Sequence, residues 1–341
     1  MRRGLSFAAG LLAGLWLDTA RRSRRAEREH PPAGSFVKTG LEAGGTTLHY
    51  LERGPTGGTA RGRPLVFLHG NGIIAEDWEL CGVLDRAAER WHCVAFDRPG
   101  HGYSEKPRGG HSPSGQAAIL RAGARALGLD RPILIGHSLG STVAAAWALD
   151  YPREVGGLVL MSGYSYPTVR PDFVPLMAPA IPIAGQILSR TLAQPIDRLI
   201  LPALLRRVFE PNPVPASYRR IPPDLLLRPT QLEAAAAHTA ALIPGAAALA
   251  PRYGAIRCPT AILAGEEDRI VDPLDHAARL HRDIQGSSLH LLAGAGHMIH
   301  HARPDAVLDA IAGIVRVADA WEAAGATVSG TREDSHARLG A

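Results

Sequence analysis

Short, fully apolar runs alternate with longer stretches whose apolar residues recur at helical spacing. Residues Thr46 to Leu51 alternate as a half-buried strand does. "PLVFLHG", Pro64 to Gly70, and His92 to Phe96 are apolar on both faces and end in turn residues, the pattern of buried parallel strands. Pro132 to Ile135 and "VGGLVLMSG", Val155 to Gly163, repeat it. Between them lie helical patterns over Ala75–Glu89, Ser114–Leu127 and Ser141–Asp150, the last stopped by Pro152. From Tyr164 to Ile243 the alternation breaks into proline-rich, short apolar helical pieces. It resumes with "PTAILAGEEDRIV", a helix over Asp272–Arg282, the strand "SSLHLLAG" and a last helix from Pro304 to Val317. Strands alternating with helices predict an α/β fold, a doubly wound, mostly parallel sheet, with a helical cap inserted at 164–243. The core is then 35–163 and 244–320.

The ends have different patterns. Residues 1–34 form a basic and apolar arm, and 321–341, small and polar without periodicity, read as a disordered tail. The net charge of +5 changes meaning once it is located. Residues 1–30 hold seven arginines against Asp18, Glu27 and Glu29, so nearly all the excess sits in the arm. The net charge thus gives no support for a nucleic-acid-binding face on the body. Leu5 to Leu17 is apolar between two arginine clusters. As a helix, Leu5 to Ala20 reaches roughly 24 Å, short of a ~30 Å hydrocarbon core. Asp18-Thr19-Ala20 followed by four arginines is a poor cleavage site and resists translocation. The expectation is a cytoplasmic domain associated with a membrane through residues 5–20, against the alternative of a frayed tail. Cys81, Cys93 and Cys258 lack metal or redox spacing and read as reduced, packed thiols.

The chemistry centres on "ILIGHSLGST", Ile133 to Thr142. A G-x-S-x-G pentapeptide alone is weak, but here it follows a buried strand and opens a helix, the context of a nucleophile elbow. Gly136 and Gly140 leave room for a sharp turn, and Ser138 sits at a helix N-terminus that favours a developing anion. A serine hydroxyl needs a base, and the base an orienting acid. Asp268 in "GEEDRIVDP" and His297 in "AGAGHMIHH" each follow a buried strand, in the chain order Ser, Asp, His. Glu266, Glu267 and Asp272 compete for the acid role. Backbone N–H groups of Leu139, after the nucleophile, and Asn71, in "LHGNG", are the expected oxyanion donors. His297, His300 and His301 lack a partnering acid nearby in sequence, so no metal is expected, and His300 and His301 read as packing or supporting residues.

Taken together, His69-Gly70-Asn71, "DRPGHGYSEKP" from Asp97, the Gly136–Gly140 elbow, Asp268 and His297 resemble the α/β-hydrolase superfamily over about Phe36 to Val317. Serine as nucleophile separates the chain from the dehalogenases and epoxide hydrolases, which use aspartate there. The resemblance implies an esterase- or lipase-like serine hydrolase that acts through an acyl-enzyme on a small lipophilic acyl substrate and needs no cofactor. Carbon–carbon hydrolases and cofactor-free perhydrolases share the same three residues. A binding protein that has lost the chemistry is a further alternative.

Overall fold

The computed structural model describes residues 2–55 and 62–337. Its centre is one eight-stranded sheet in the order β1-β2-β4-β3-β5-β6-β7-β8. The strands are β1 Ser35–Lys38, β2 Thr47–Arg53, β3 Leu65–Leu68, β4 Cys93–Phe96, β5 Ile133–His137, β6 Gly157–Met161, β7 Thr260–Gly265 and β8 Ser288–Leu292. β1 and β2 pair antiparallel, as do β2 and β4, and the remaining strands run parallel. Every residue of β3 through β7 is buried. That is why these strands read as unbroken apolar runs: both faces are covered by helices. One face packs against Pro113–Ala126 and Leu139–Asp150 through Leu120, Ala144 and Trp147. The other packs against Val83–Ala88 and the last helix through Leu84, Ile311 and Val315. β1 escapes a reading by pattern because it is a short, mostly exposed edge strand.

The predicted Ala75–Glu89 helix is instead two pieces, Asp77–Leu80 and Val83–Ala88, broken at Gly82, whose φ is +74°. The insertion is helical as expected. It contains Ala184–Leu188, Gln194–Phe209 and Pro223–Leu226, and its final helix, Pro229–Leu249, carries the chain on toward β7. Pro229–Ala255 is also the one described helical stretch long and apolar enough to cross a membrane, and half of it is buried inside the protein.

Both ends are helical. The arm is a helix from Arg2 to Glu29, reaching well past Ala20. Its second half is docked rather than frayed: Thr19 and Ala26 are buried, and Glu27 pairs with Arg228 of the cap at 2.9 Å. His30 Nε2 meets Glu76 at 2.7 Å, and Tyr103 Oη donates to the His30 carbonyl. Asp18–Arg22 and Arg25–Glu29 pairs one turn apart support the helix locally. The tail expected to lose order from 321 continues the last helix, Pro304–Ala337. No proline interrupts this alanine-rich stretch, and Glu322 anchors it to Arg63 and, at 3.3 Å, to Arg131. Residues 338–341 lie outside the described residues.

Candidate active site

Ser138 follows β5 and has φ +52° and ψ −121°, a conformation that non-glycine residues adopt only when the surroundings impose it. Two close approaches impose it here. A Cβ on Gly136 would lie 2.6 Å from the Gly140 carbonyl oxygen, and one on Gly140 only 2.1 Å from the Leu68 oxygen. The turn is therefore wedged between its own helix and the end of β3. Ser138 N–H donates to the Met161 carbonyl of β6 at 2.8 Å, and Ser141 Oγ donates to the Gly136 carbonyl at 2.6 Å. The Ser138 carbonyl accepts the Ser141 and Thr142 amides of the helix that begins at Leu139, while the first amides, of Leu139 and Gly140, have no acceptor within the helix.

Asp268, after β7, and His297, after β8, are brought together: His297 Nδ1 donates to Asp268 Oδ2 at 2.8 Å. The second carboxylate oxygen, Oδ1, accepts N–H bonds from Ile270 at 2.8 Å and Val271 at 2.9 Å. Burial pushes the Asp268 carboxyl up, but His297 and these two amides outweigh it and hold the group below its ordinary value. It thus stays ionised against the imidazole. The competing acids have other partners. Glu267 is exposed and its carboxylate accepts the Gly294 and Ala295 amides, both at 3.1 Å. Asp272 caps the following helix through the Leu274 and Asp275 amides. Glu266 is exposed and contributes its backbone N–H to the Leu292 carbonyl. Among the described residues, Ser138 Oγ makes no hydrogen bond to His297. The residue before Ser138 ties the two loops: His137 Nε2 donates to the His297 carbonyl at 3.0 Å, and its ring lies 4.9 Å from that of His297.

The loop bearing Asn71 is pinned from below. Arg98, fully buried, donates from Nε to the His69 carbonyl at 2.8 Å and from Nη2 to the Gly70 carbonyl at 2.9 Å. His69 Nδ1 donates to the Gly70 carbonyl and its Nε2 accepts the Arg98 amide. Burial, then Arg98, draw this imidazole down to about 3, so it is neutral. Asn71 also ties the loop to the cap, its Nδ2 donating to the Ala235 carbonyl and to Thr239 Oγ1, both at 3.0 Å. Above this loop opens a cavity of about 460 Å³. Its wall is largely apolar, with Leu188, Ile196, Ile200, Leu204 and Leu232 from the cap, and it includes Asn71.

One group was invisible in the sequence. Asp77 supplies the acid that His300 and His301 lack locally: its Oδ2 accepts from His300 Nε2 at 2.6 Å and its Oδ1 from His301 Nε2 at 2.8 Å. The three are nearly solvent-free, and their ligating atoms lie within 4.8 Å of one another. Both carboxylate oxygens are already satisfied by ring N–H groups, so the set reads as a closed hydrogen-bonded clasp. His300 in turn packs 4.4 Å from His137, which links the clasp to the His297 loop. Burial pushes the Asp77 carboxyl up, and the two histidines more than reverse this, holding it below the carboxylate range. Its stabilisation is therefore complete above the unfolded-state pKa and is lost as pH falls toward the folded value. Asp77→Ala leaves two buried imidazoles unpaired and should cost about 3 kcal/mol in urea unfolding at neutral pH. The difference from the parent should shrink in acid. A neutral-pH loss below about 0.5 kcal/mol would show that the clasp carries no stability.

Comparisons with known proteins agree with this architecture. The alpha/beta hydrolase fold family matches residues 63–304. A 2-hydroxy-6-oxononadienedioate/2-hydroxy-6-oxononatrienedioate hydrolase of Paraburkholderia phymatum is 29% identical over 275 residues, covering 79% of this chain and 91% of that protein. A thermophilic esterase from Thermogutta terrifontis superposes with a TM-score of 0.66 at 22% identity, covering 84% of this chain and 98% of its own. A membrane phospholipase A described as a bacterial virulence factor superposes with a TM-score of 0.63 at 23% identity, covering 94% and 99%. With its eight-stranded sheet, its helical layers and a family match spanning most of its length, the chain belongs to the alpha/beta hydrolase fold family.

Proposed function

We propose that the protein is a serine hydrolase of acyl esters. Ser138 attacks the acyl carbonyl, and His297 takes its proton and returns it to the leaving group. Asp268 fixes the imidazole tautomer and stabilises its charged form. The N–H groups of Asn71 and Leu139 receive the oxyanion, and water then releases the acid. The observation that carries this reading is the Asp268–His297 pair, tied through His137 to the strained Ser138 turn; an apolar cavity reaches Asn71, the second oxyanion donor of this scheme. The cavity wall also weighs between substrates. Its polar lining is Asn71, Asp197, Gln231 and Thr239, with no lysine or arginine, and burial draws the Asp197 carboxyl up to about 6. Such a wall suits an uncharged acyl chain better than a substrate with two carboxylates, of the kind named for the Paraburkholderia relative.

A series of p-nitrophenyl esters of increasing acyl length, run beside a ring-fission dienone, tests this. Each methylene that enters the cavity gains roughly 0.8 kcal/mol. kcat/KM should therefore rise up to about fourfold per carbon over the first additions. Faster turnover of the dienone, or a response flat with chain length, would remove the acyl-ester reading.

A further inference from the structure

Large apolar side chains left exposed are concentrated on one part of this molecule. Of the twenty among the described residues, eleven fall between Val169 and Leu204 of the cap and four more, Leu11, Leu12, Trp16 and Leu17, are in the arm. Leu199 is 81% exposed and Ile183 75%. The arm packs along the Ser189–Ala193 turn of the cap, with Trp16 near the Arg190 guanidinium at 5.9 Å, so the two groups adjoin. Leu176, Ile196, Ile200 and Leu204 are each about half exposed, yet they also line the 460 Å³ cavity. They must therefore form the rim of its mouth. The cavity that reaches Asn71 opens onto this apolar face.

The unpaired charges bordering the face are arginines. On the helix Gln194–Phe209, Arg206 and Arg207 lie two turns beyond Leu199 and Ile200. They are exposed and make no ion pair among the described residues. With Ala203, Glu210 and Arg269 they line a surface depression of about 500 Å³. Arg269 pairs with Glu210 at 3.5 Å, which leaves Arg206 and Arg207 there without an acid. In the arm, Arg21 and Arg24 stand one and two turns beyond Leu17, both exposed. An apolar face bordered by unpaired arginines complements acyl chains beneath anionic headgroups. It does not complement itself, because two copies meeting through it would bring these arginines together. Exposed apolar residues concentrated in this way, rather than scattered singly, mark an interaction surface.

From this we infer that the cap face, from Val174 to Leu204 with the adjoining arm, docks on an anionic phospholipid bilayer, and that the cavity mouth opens into the acyl region of the bound leaflet. The docking stands independently of the chemistry. That the acyl substrate enters from the leaflet rests on the esterase reading above.

The test uses the full chain carrying Leu199→Trp, at a position outside the cavity wall, and compares it with the parent protein. On phosphatidylcholine–phosphatidylglycerol vesicles with brominated acyl chains, the variant should show a blue-shifted, bromine-quenched emission component in addition to the one that Trp16 of the arm gives in the parent. Binding should weaken on phosphatidylcholine alone and in high salt. Ile183→Asp with Leu199→Asp, both on exposed positions and so without effect on the melting temperature, should lower vesicle partition at least about tenfold. Vesicle binding without quenching at position 199 would confine membrane contact to the arm and overturn the inference. So would a stable dimer in solution that the double aspartate variant converts to monomer. A protein that quenches as expected but fails to cleave any ester would retain the docking surface and lose only the proposed chemistry.

Discussion

Ser138→Ala is expected to reduce kcat by on the order of 10⁶ and to eliminate covalent labelling by a fluorophosphonate, while the protein remains folded. The fold survives because nothing depends on the hydroxyl: Ser138 Oγ has no hydrogen-bond partner among the described residues, and the turn is held by backbone contacts to Met161 and Ser141. Alanine has the same backbone restrictions as serine, so it inherits the φ of +52° and its strain. Ser138→Gly should remove that strain and raise stability by about 1 kcal/mol while being equally inactive. The inactive, more stable glycine variant would separate a residue retained for chemistry from one retained for structure. Intact-mass labelling and thermal melting read both quantities. A folded Ser138→Ala protein with parental turnover would end the assignment of the nucleophile.

Asp268→Asn should lower kcat by about 10⁴ with little change in KM. The carboxylate accepts from His297 Nδ1, which leaves Nε2 free to take a proton. An asparagine amide placed at Oδ2 donates to Nδ1 instead, so the neutral ring carries its hydrogen on Nε2, where it can no longer act as a base. The other oxygen can still accept the Ile270 and Val271 amides, so the loop should keep its shape. His297→Ala should approach the loss seen for Ser138→Ala. Glu267→Gln, by contrast, disturbs only the two amides of the 294–295 turn and should retain most activity. If Glu267→Gln proved fatal and Asp268→Asn harmless, the acid would have to be reassigned despite its contact with the histidine.

Much of this architecture was legible in the chain. β3 to β7 are short apolar runs because each strand is buried on both faces, and burial on both faces removes polar residues wherever it occurs. Gly136 and Gly140 were readable because a strand-to-helix reversal of this sharpness admits no Cβ, a condition met within a few residues. The order of Ser138, Asp268 and His297 follows from loops at one edge of one parallel sheet. These are local signals of periodicity, turn chemistry and strand order. The contacts that settled the remaining questions are long-range. Which of four neighbouring acids faces His297 depends on how the loop after β7 lies against the loop after β8. The partner of His300 lies 223 positions away at Asp77, in a short helix whose own sequence gives no sign of it. Whether the arm is free or docked turned on Arg228, 201 positions from Glu27. The cap's apolar residues read equally well as core or as surface, because composition does not say which side of a helix is covered. Only the packed structure distinguishes the leucines that are buried from those that border the cavity mouth and face outward.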